Sequence, residues 1–203
     1  MADPSAGEVV HRLPRDPVHL FQLNTAPDTY NNPMGCGAFS TSMALSVYDP
    51  ARFGNYATPR DLFSRMLKVP FFGGTFENQN AAMARRLGFL AHSYGFGTPA
   101  DLAAAIDLGA PAVILINPNR LGIGQHDVLL VGYSVDGQGN LLRLFIDNPW
   151  EQAATQPAPP GLSYPGNQTI AAADIPHKWT AVFTPIFASP DAESRWRTQT
   201  HRG

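Results

Sequence analysis

Apolar residues along this chain change period near its middle. Over 37–48, Phe39, Met43, Ala44 and Val47 recur at helical spacing, and Asp49-Pro50 stops the run. Thr58-Pro59-Arg60-Asp61 supplies an N-cap hydroxyl, a proline in the first helical position and an early carboxylate, predicting a helix to about residue 68. The same grammar recurs twice. Thr75 with Glu77 opens a helix to about 87, closed by Gly88, and Thr98-Pro99-Ala100-Asp101 opens another to about 108, closed by Gly109. After residue 110 the pattern turns to short apolar runs at 112–116, 127–133 and 141–146, and to an alternating run at 179–187. Residues 135–140, Val-Asp-Gly-Gln-Gly-Asn, read as a hairpin connection between the second and third runs. Helices first and strands afterwards predict an α+β fold, with a helical first half packed on an antiparallel sheet.

The flanks look different. Residues 1–17 are polar and punctuated by proline, and read as an arm. Residues 18–23 form a short strand candidate, and the Asn-, Asp- and Pro-rich run 25–34 is a loop. Residues 150–176 are rich in Pro, Gly and Ala with little periodicity, which suggests a wall beside a functional site. Residues 189–203 are polar apart from Trp196 and read as a fraying tail, leaving 18–188 as the one folded domain.

Composition narrows the function. The 203 residues suffice for one core, and 44% hydrophobic with 15% charged residues is ordinary for a globular protein. A net charge of −2 gives no electrostatic argument for nucleic acid or an anionic membrane as partner. Residues 1–16 lack a signal peptide's apolar core, and no apolar run approaches a membrane span. The expectation is a cytoplasmic protein, or one exported by a route independent of a signal peptide. Asn167-Gln168-Thr169 spells a glycosylation sequon, which that expectation makes a coincidence. One cysteine excludes an intrachain disulfide and, without close His or carboxylate spacing, argues against a zinc site. Gly122-Ile123-Gly124 is too short for a nucleotide-binding fingerprint and reads as the turn into the next strand, so neither cofactor nor metal is expected.

That cysteine, Cys36, lies between Gly35 and Gly37 where the first helix begins. Unpaired N–H groups and the helix dipole favour an anion there, so the residue is either a thiolate nucleophile or a small buried hydrophobe. A thiol nucleophile needs a base, and the base needs an orienter. Of the six histidines, His126 opens a strand, where a rigid element holds it. Asp127 is its neighbour, but alternation along a strand turns it to the opposite face. Asp147, at the end of the neighbouring strand, is the expected orienter, and Asn148 is the runner-up. Gln22 can supply a side-chain amide to a developing oxyanion beside the Cys36 N–H.

Gln22, then Gly35-Cys36-Gly37 opening a helix, His126 before Val128-Leu129-Leu130-Val131-Gly132-Tyr133, and Ile146-Asp147-Asn148-Pro149 resemble the papain-like cysteine peptidases of the C39-like group. This group includes the bacteriocin-leader peptidase domains and stand-alone bacterial relatives. The resemblance runs over about 18–187. It departs at Ala38, where relatives often carry proline. It implies a papain-like fold acting on a peptide or protein substrate, with Cys36 as nucleophile, His126 as general base and acid, Asp147 as orienter and Gln22 as oxyanion donor. An acyltransferase, transglutaminase or amidase would use the same site with another acceptor, and a binding module could keep the fold without turnover.

Overall fold

The computed structural model describes residues 7–24, 30–67, 78–117, 125–152 and 156–201. Its helices are α1 (Cys36–Ser46), α2 (Pro50–Phe53), α3 (Ala57–Arg65), α4 (Asn78–Arg86), α5 (Pro99–Asp107), α6 (Ile175–Lys178) and α7 (Pro190–Thr200). Its strands are β1 (Val9–Arg12), β2 (Leu90–Ala91), β3 (Ala112–Ile116), β4 (His126–Val135), β5 (Leu141–Asp147), β6 (Gln168–Ala171) and β7 (Trp179–Phe187). The fold is α+β as expected. Among the described residues five helices precede the long strands, and the strands form one seven-stranded sheet in the order β2-β7-β3-β4-β5-β6, with β1 added along β4. All pairings are antiparallel.

Helix α1 is central. It packs against β4, β3, α2, α3 and α4, and every residue from Gly37 to Ser46 is buried. Burial on all sides explains why Phe39, Met43 and Ala44 mark only part of its packed surface. The polar residues on the other faces are satisfied internally, since Ser40 Oγ donates to Asp127 O (2.9 Å) and Ser42 Oγ to Phe53 O (2.8 Å). The bond from Ser40 ties the second turn of α1 to the first residues of β4.

Several boundaries differ from expectation. Asp49-Pro50 ends α1 but also starts α2, because the Asp49 carboxylate caps the Arg52 N–H at 3.0 Å and proline suits the first helical turn. Helix α3 starts one residue before Thr58, which lies inside it. The cap at Thr98 is as predicted, a reciprocal capping box with Asp101, and Gly109 follows α5 at φ +71. Thr75, Glu77 and the Gly122–Gly124 turn lie outside the described residues. Residues 18–23 are not a strand; they run as an irregular strap whose backbone bonds reach Pro149 and Asn32.

Among the described residues, neither flank is a loose extension. Residues 9–12 form β1 against 132–135 of β4. Glu8 is buried, with its carboxylate 3.1 Å from Arg143 Nε and accepting from the Tyr164 hydroxyl at 2.8 Å. Two polar clusters therefore pin the first strand, because Tyr133 also donates to Asp107 at 2.9 Å beside His11 Nδ1, 3.0 Å from the same carboxylate. At the other end α7 packs on α5 and β7 through Trp196, which is fully buried and donates from Nε1 to Asp101 O at 3.0 Å. A polar sequence with one apolar anchor hid this helix, since one large side chain gives no periodicity.

Trp196→Ala should remove about 3–5 kcal/mol of stability. A fraying tail predicts almost none. Thermal or urea unfolding of the two proteins decides, with about 2–4 °C lost per kcal/mol in a chain of this size.

Candidate active site

Cys36 is the first residue of α1, and His126 is the first residue of β4. Because α1 packs on β4, the first turn of the helix lies near the start of that strand. The sulfur is placed against the backbone N–H of Asp127, next to His126, as well as the N–H groups of Gly37 and Cys36 itself. Those donors should help a thiolate, and so should the helix start. Cys36 is only half-buried, yet desolvation of its sulfur outweighs these donors, and with the nearby Asp127 carboxylate as the second cause it pushes the thiol up from 9.0 to about 12. The expected lowering of the thiol is therefore reversed in the resting site.

The His126 ring is fully buried and lies flat on Trp150, with centroids 3.8 Å apart and planes at 24°. Its Nε2 is 2.7 Å from Asn148 Oδ1. The Trp150 N–H, which can only donate, bonds the same Oδ1 at 2.9 Å. Asn148 Nδ2 donates in turn to Gln168 Oε1 at 3.0 Å. Oδ1 is thus the acceptor, and His126 must donate to it from Nε2. The neutral ring then carries its lone pair on Nδ1. That atom is buried and has no hydrogen-bond partner among the described residues, the Cys36 sulfur included. Burial is the larger influence on the imidazole and lowers it from 6.5 to about 4, against a smaller raising effect from Asn148.

Asn148, not Asp147, is therefore the residue brought to His126. Strand parity is the reason. Asp147 pairs with Leu129 of β4 and shares its face, so Asn148 pairs next to Val128 and shares the face of Val128 and His126. Asp147 points to the far side, where its Oδ1 is 3.8 Å from His19 Nδ1. Its carboxyl is buried, and desolvation raises it from 3.8 to about 7, against the Asn167 backbone N–H. His19 Nε2 is 2.8 Å from Glu151 O, and burial lowers its imidazole. A cavity of about 260 Å³ opens on this side of β5, lined by Arg12, Asp16, His19, Asp147, Tyr164 and Asn167 among others.

Gln22, the expected oxyanion donor, is fully buried beside the cysteine loop. Its amide hydrogens, however, are given to Asn32 O (3.2 Å) and Pro33 O (3.0 Å), while Oε1 is buried without a hydrogen-bond partner among the described residues. In the resting site Gln22 braces the loop before Cys36 and does not present a free donor. Its own N–H donates to Pro149 O at 2.8 Å, joining that loop to the end of β5.

Trp150, Asn167 and Gln168 were not singled out for this site from the sequence. Trp150 follows the Asn-Pro pair directly, and an aromatic beside a polar turn is the signal that could have found it. Asn167 and Gln168 lie in the stretch without periodicity, where only the β5–β6 pairing reveals them.

Two substitutions test these electrostatics. Asp127→Asn should lower the Cys36 thiol and speed its alkylation by iodoacetamide at fixed pH, because it removes a charge that opposes the thiolate; an unchanged rate–pH profile would contradict the assignment. For Asp147 the raised folded value means that the native state holds its proton more tightly than the unfolded chain. Stability from this group is complete below about pH 4 and is lost as pH rises through about 7. Asp147→Asn should therefore unfold at a higher temperature than the parent at pH 8, with the difference shrinking as pH falls toward 4. A difference that widens on acidification would reverse the sign.

No protein-family model matches the chain, and no curated protein matches it. Among solved structures the chain is similar to the peptidase domain of Streptococcus ComA, a bi-functional ABC transporter involved in a quorum-sensing pathway, with 18% identity over 79% of this chain and 96% of that one and a TM-score of 0.48. It is also similar to the peptidase domain of Streptococcus mutans ComA, with 18% identity over 78% of this chain and 95% of that one and a TM-score of 0.43.

Proposed function

We propose that the chain is a papain-like cysteine peptidase of C39-like type that cleaves a peptide or isopeptide bond through a thioester on Cys36. The observation that carries this reading is the His126 ring. Its Nε2–H is committed to Asn148, its Nδ1 lone pair is unspent, and its strand starts beside the first turn of α1 that holds the sulfur. A base with one nitrogen anchored and the other bare is what a thiol nucleophile requires.

Both partners are uncharged at rest, so the proton moves during attack. Cys36 Sγ bonds to the substrate carbonyl carbon as its proton passes to Nδ1, and Sγ and Nδ1 come within hydrogen-bond reach on substrate binding. Negative charge develops on the carbonyl oxygen. The Cys36 N–H, one of the first four in α1 and so without an acceptor inside the helix, is one donor to it. Gln22 is the second when it releases a loop carbonyl. Asn148 Oδ1 and the Trp150 face hold the imidazolium in place. Nδ1 then protonates the leaving amine, and in the second half-reaction it takes a proton from the water that opens the thioester. Asn148 thus orients the ring, and Asp147 stands outside the reaction.

Cys36→Ala and His126→Ala should each abolish turnover of a peptide mixture, by at least about 10³-fold, with unfolding temperatures near the parent's. Asn148→Ala should lower kcat strongly, whereas Asp147→Asn should leave it within a few-fold. Turnover surviving Cys36→Ala would sink the mechanism, and the opposite ranking of the two Asx variants would restore Asp147 as orienter. With the imidazole at about 4 and the thiol at about 12, kcat/KM should be flat across neutral pH and fall only below about pH 5.

A further inference from the structure

We propose that Gln168 and Asn167, at the start of β6, are positioning residues that hold the Asn148 amide with its oxygen toward His126 and so choose which ring nitrogen acts as base. The proposal rests on the reading of His126 as the base. Asn148 can serve only in one of its two amide orientations, since the flipped amide would turn an NH₂ toward the ring nitrogen. Two contacts forbid the flip. One is the Trp150 N–H on Oδ1, and the other is Gln168 Oε1, which accepts from Nδ2 at 3.0 Å. Gln168 can do this because it pairs with Ile146, so its side chain shares the face of Ile146 and, two residues on, of Asn148.

Asn167 acts on the backbone of the same residue. Its Oδ1 accepts from the Asn148 N–H at 2.8 Å and its Nδ2 donates to Asn148 O at 3.0 Å, a two-point clamp on one peptide unit each side of the Cα. That clamp is needed where it stands, because β5 ends at Asp147 and Asn148 lies just beyond the regular ladder. The turn that delivers Asn167 is tight. Gly166 sits at φ +76, and a Cβ there would lie 2.5 Å from Ile146 O. The tripeptide that spells a sequon therefore spends its amide on Asn148.

The test uses the full chain and two readouts. The first is the ¹⁵N spectrum of the His126 ring, which reports its tautomer whether or not any substrate is known. The second is kcat and KM on a peptide that the parent cleaves. Gln168→Met should convert the single Nε2–H tautomer into a mixture and lower kcat by about 10- to 100-fold with KM little changed, a magnitude typical of a misplaced catalytic group. Gln168→Glu, which keeps an acceptor at that place, should restore both. Asn167→Ala should act in the same direction. In an Asn148→Ala background, Gln168→Met should have no further effect on the tautomer. A Gln168→Met protein that folds, keeps the parent tautomer and keeps the parent kcat overturns the proposal. So does a tautomer change that persists in the Asn148→Ala background, since Gln168 would then act by another route. If the parent cleaves no peptide but Gln168→Met still shifts the tautomer in an Asn148-dependent way, the positioning role stands and the peptidase reading fails.

Discussion

One oxygen, Oδ1 of Asn148, fixes the character of this site. It accepts from the Trp150 N–H and from His126 Nε2, so the imidazole has one tautomer and its base faces the other way. Everything around it serves to hold that atom. Strand β4 brings the ring, β5 brings the amide, β6 brings Gln168 and Asn167, and the Trp150 indole covers the bond from above. A hydrogen bond shielded in this way gains strength from its low-dielectric surroundings, while an amide left half-satisfied there would be costly.

The same burial sets the resting charge state. A helix start is worth about 0.3–1 kcal/mol to a nearby anion, and about 2 kcal/mol in favourable cases. Moving a thiol from 9.0 to about 12 corresponds to roughly 4 kcal/mol against the anion. Desolvation and Asp127 therefore outweigh the helix start, and both shifts favour a neutral thiol and a neutral imidazole at rest. Holding the pair neutral avoids the desolvation penalty of a standing ion pair. In the proposed reaction, charge develops only as the substrate supplies an oxyanion partner for the imidazolium.

The sequence made much of this legible because its signals were local. The cap at Thr98, the cysteine at a helix start, the turn at 136–140 and the apolar strands each announce themselves within a few residues. The choice between Asp147 and Asn148 depends on register, which is a long-range quantity. The β4–β5 hairpin carries two irregularities, between Leu130 and Gly132 and between Ser134 and Val135, and a one-residue slip exchanges the two faces. Chemistry favoured the carboxylate, since it would stabilise an imidazolium more, and geometry delivered the amide. The edges escape the sequence pattern for a related reason. β1 and α7 depend on partners far along the chain, Glu8 on Arg143 and Trp196 on Asp101, and neither leaves a periodic trace.

The strap at 17–24 shows why the edges matter to the chemistry. Val18 N–H bonds Ser46 Oγ at the end of α1, His19 bonds Glu151 O, and Gln22 bonds Pro149 O with its backbone while bracing Asn32 and Pro33 with its side chain. One short irregular segment thus ties both ends of the cysteine helix to the turn that carries Asn148 and Trp150. A domain boundary drawn at residue 17 would sever β1 from the segment it anchors. The helical half places Cys36 and the sheet half places His126, and this strap spans the seam between them. The placing of Cys36 and His126 is therefore as much a property of the chain's first strand and the strap that follows it as of α1 and β4 themselves.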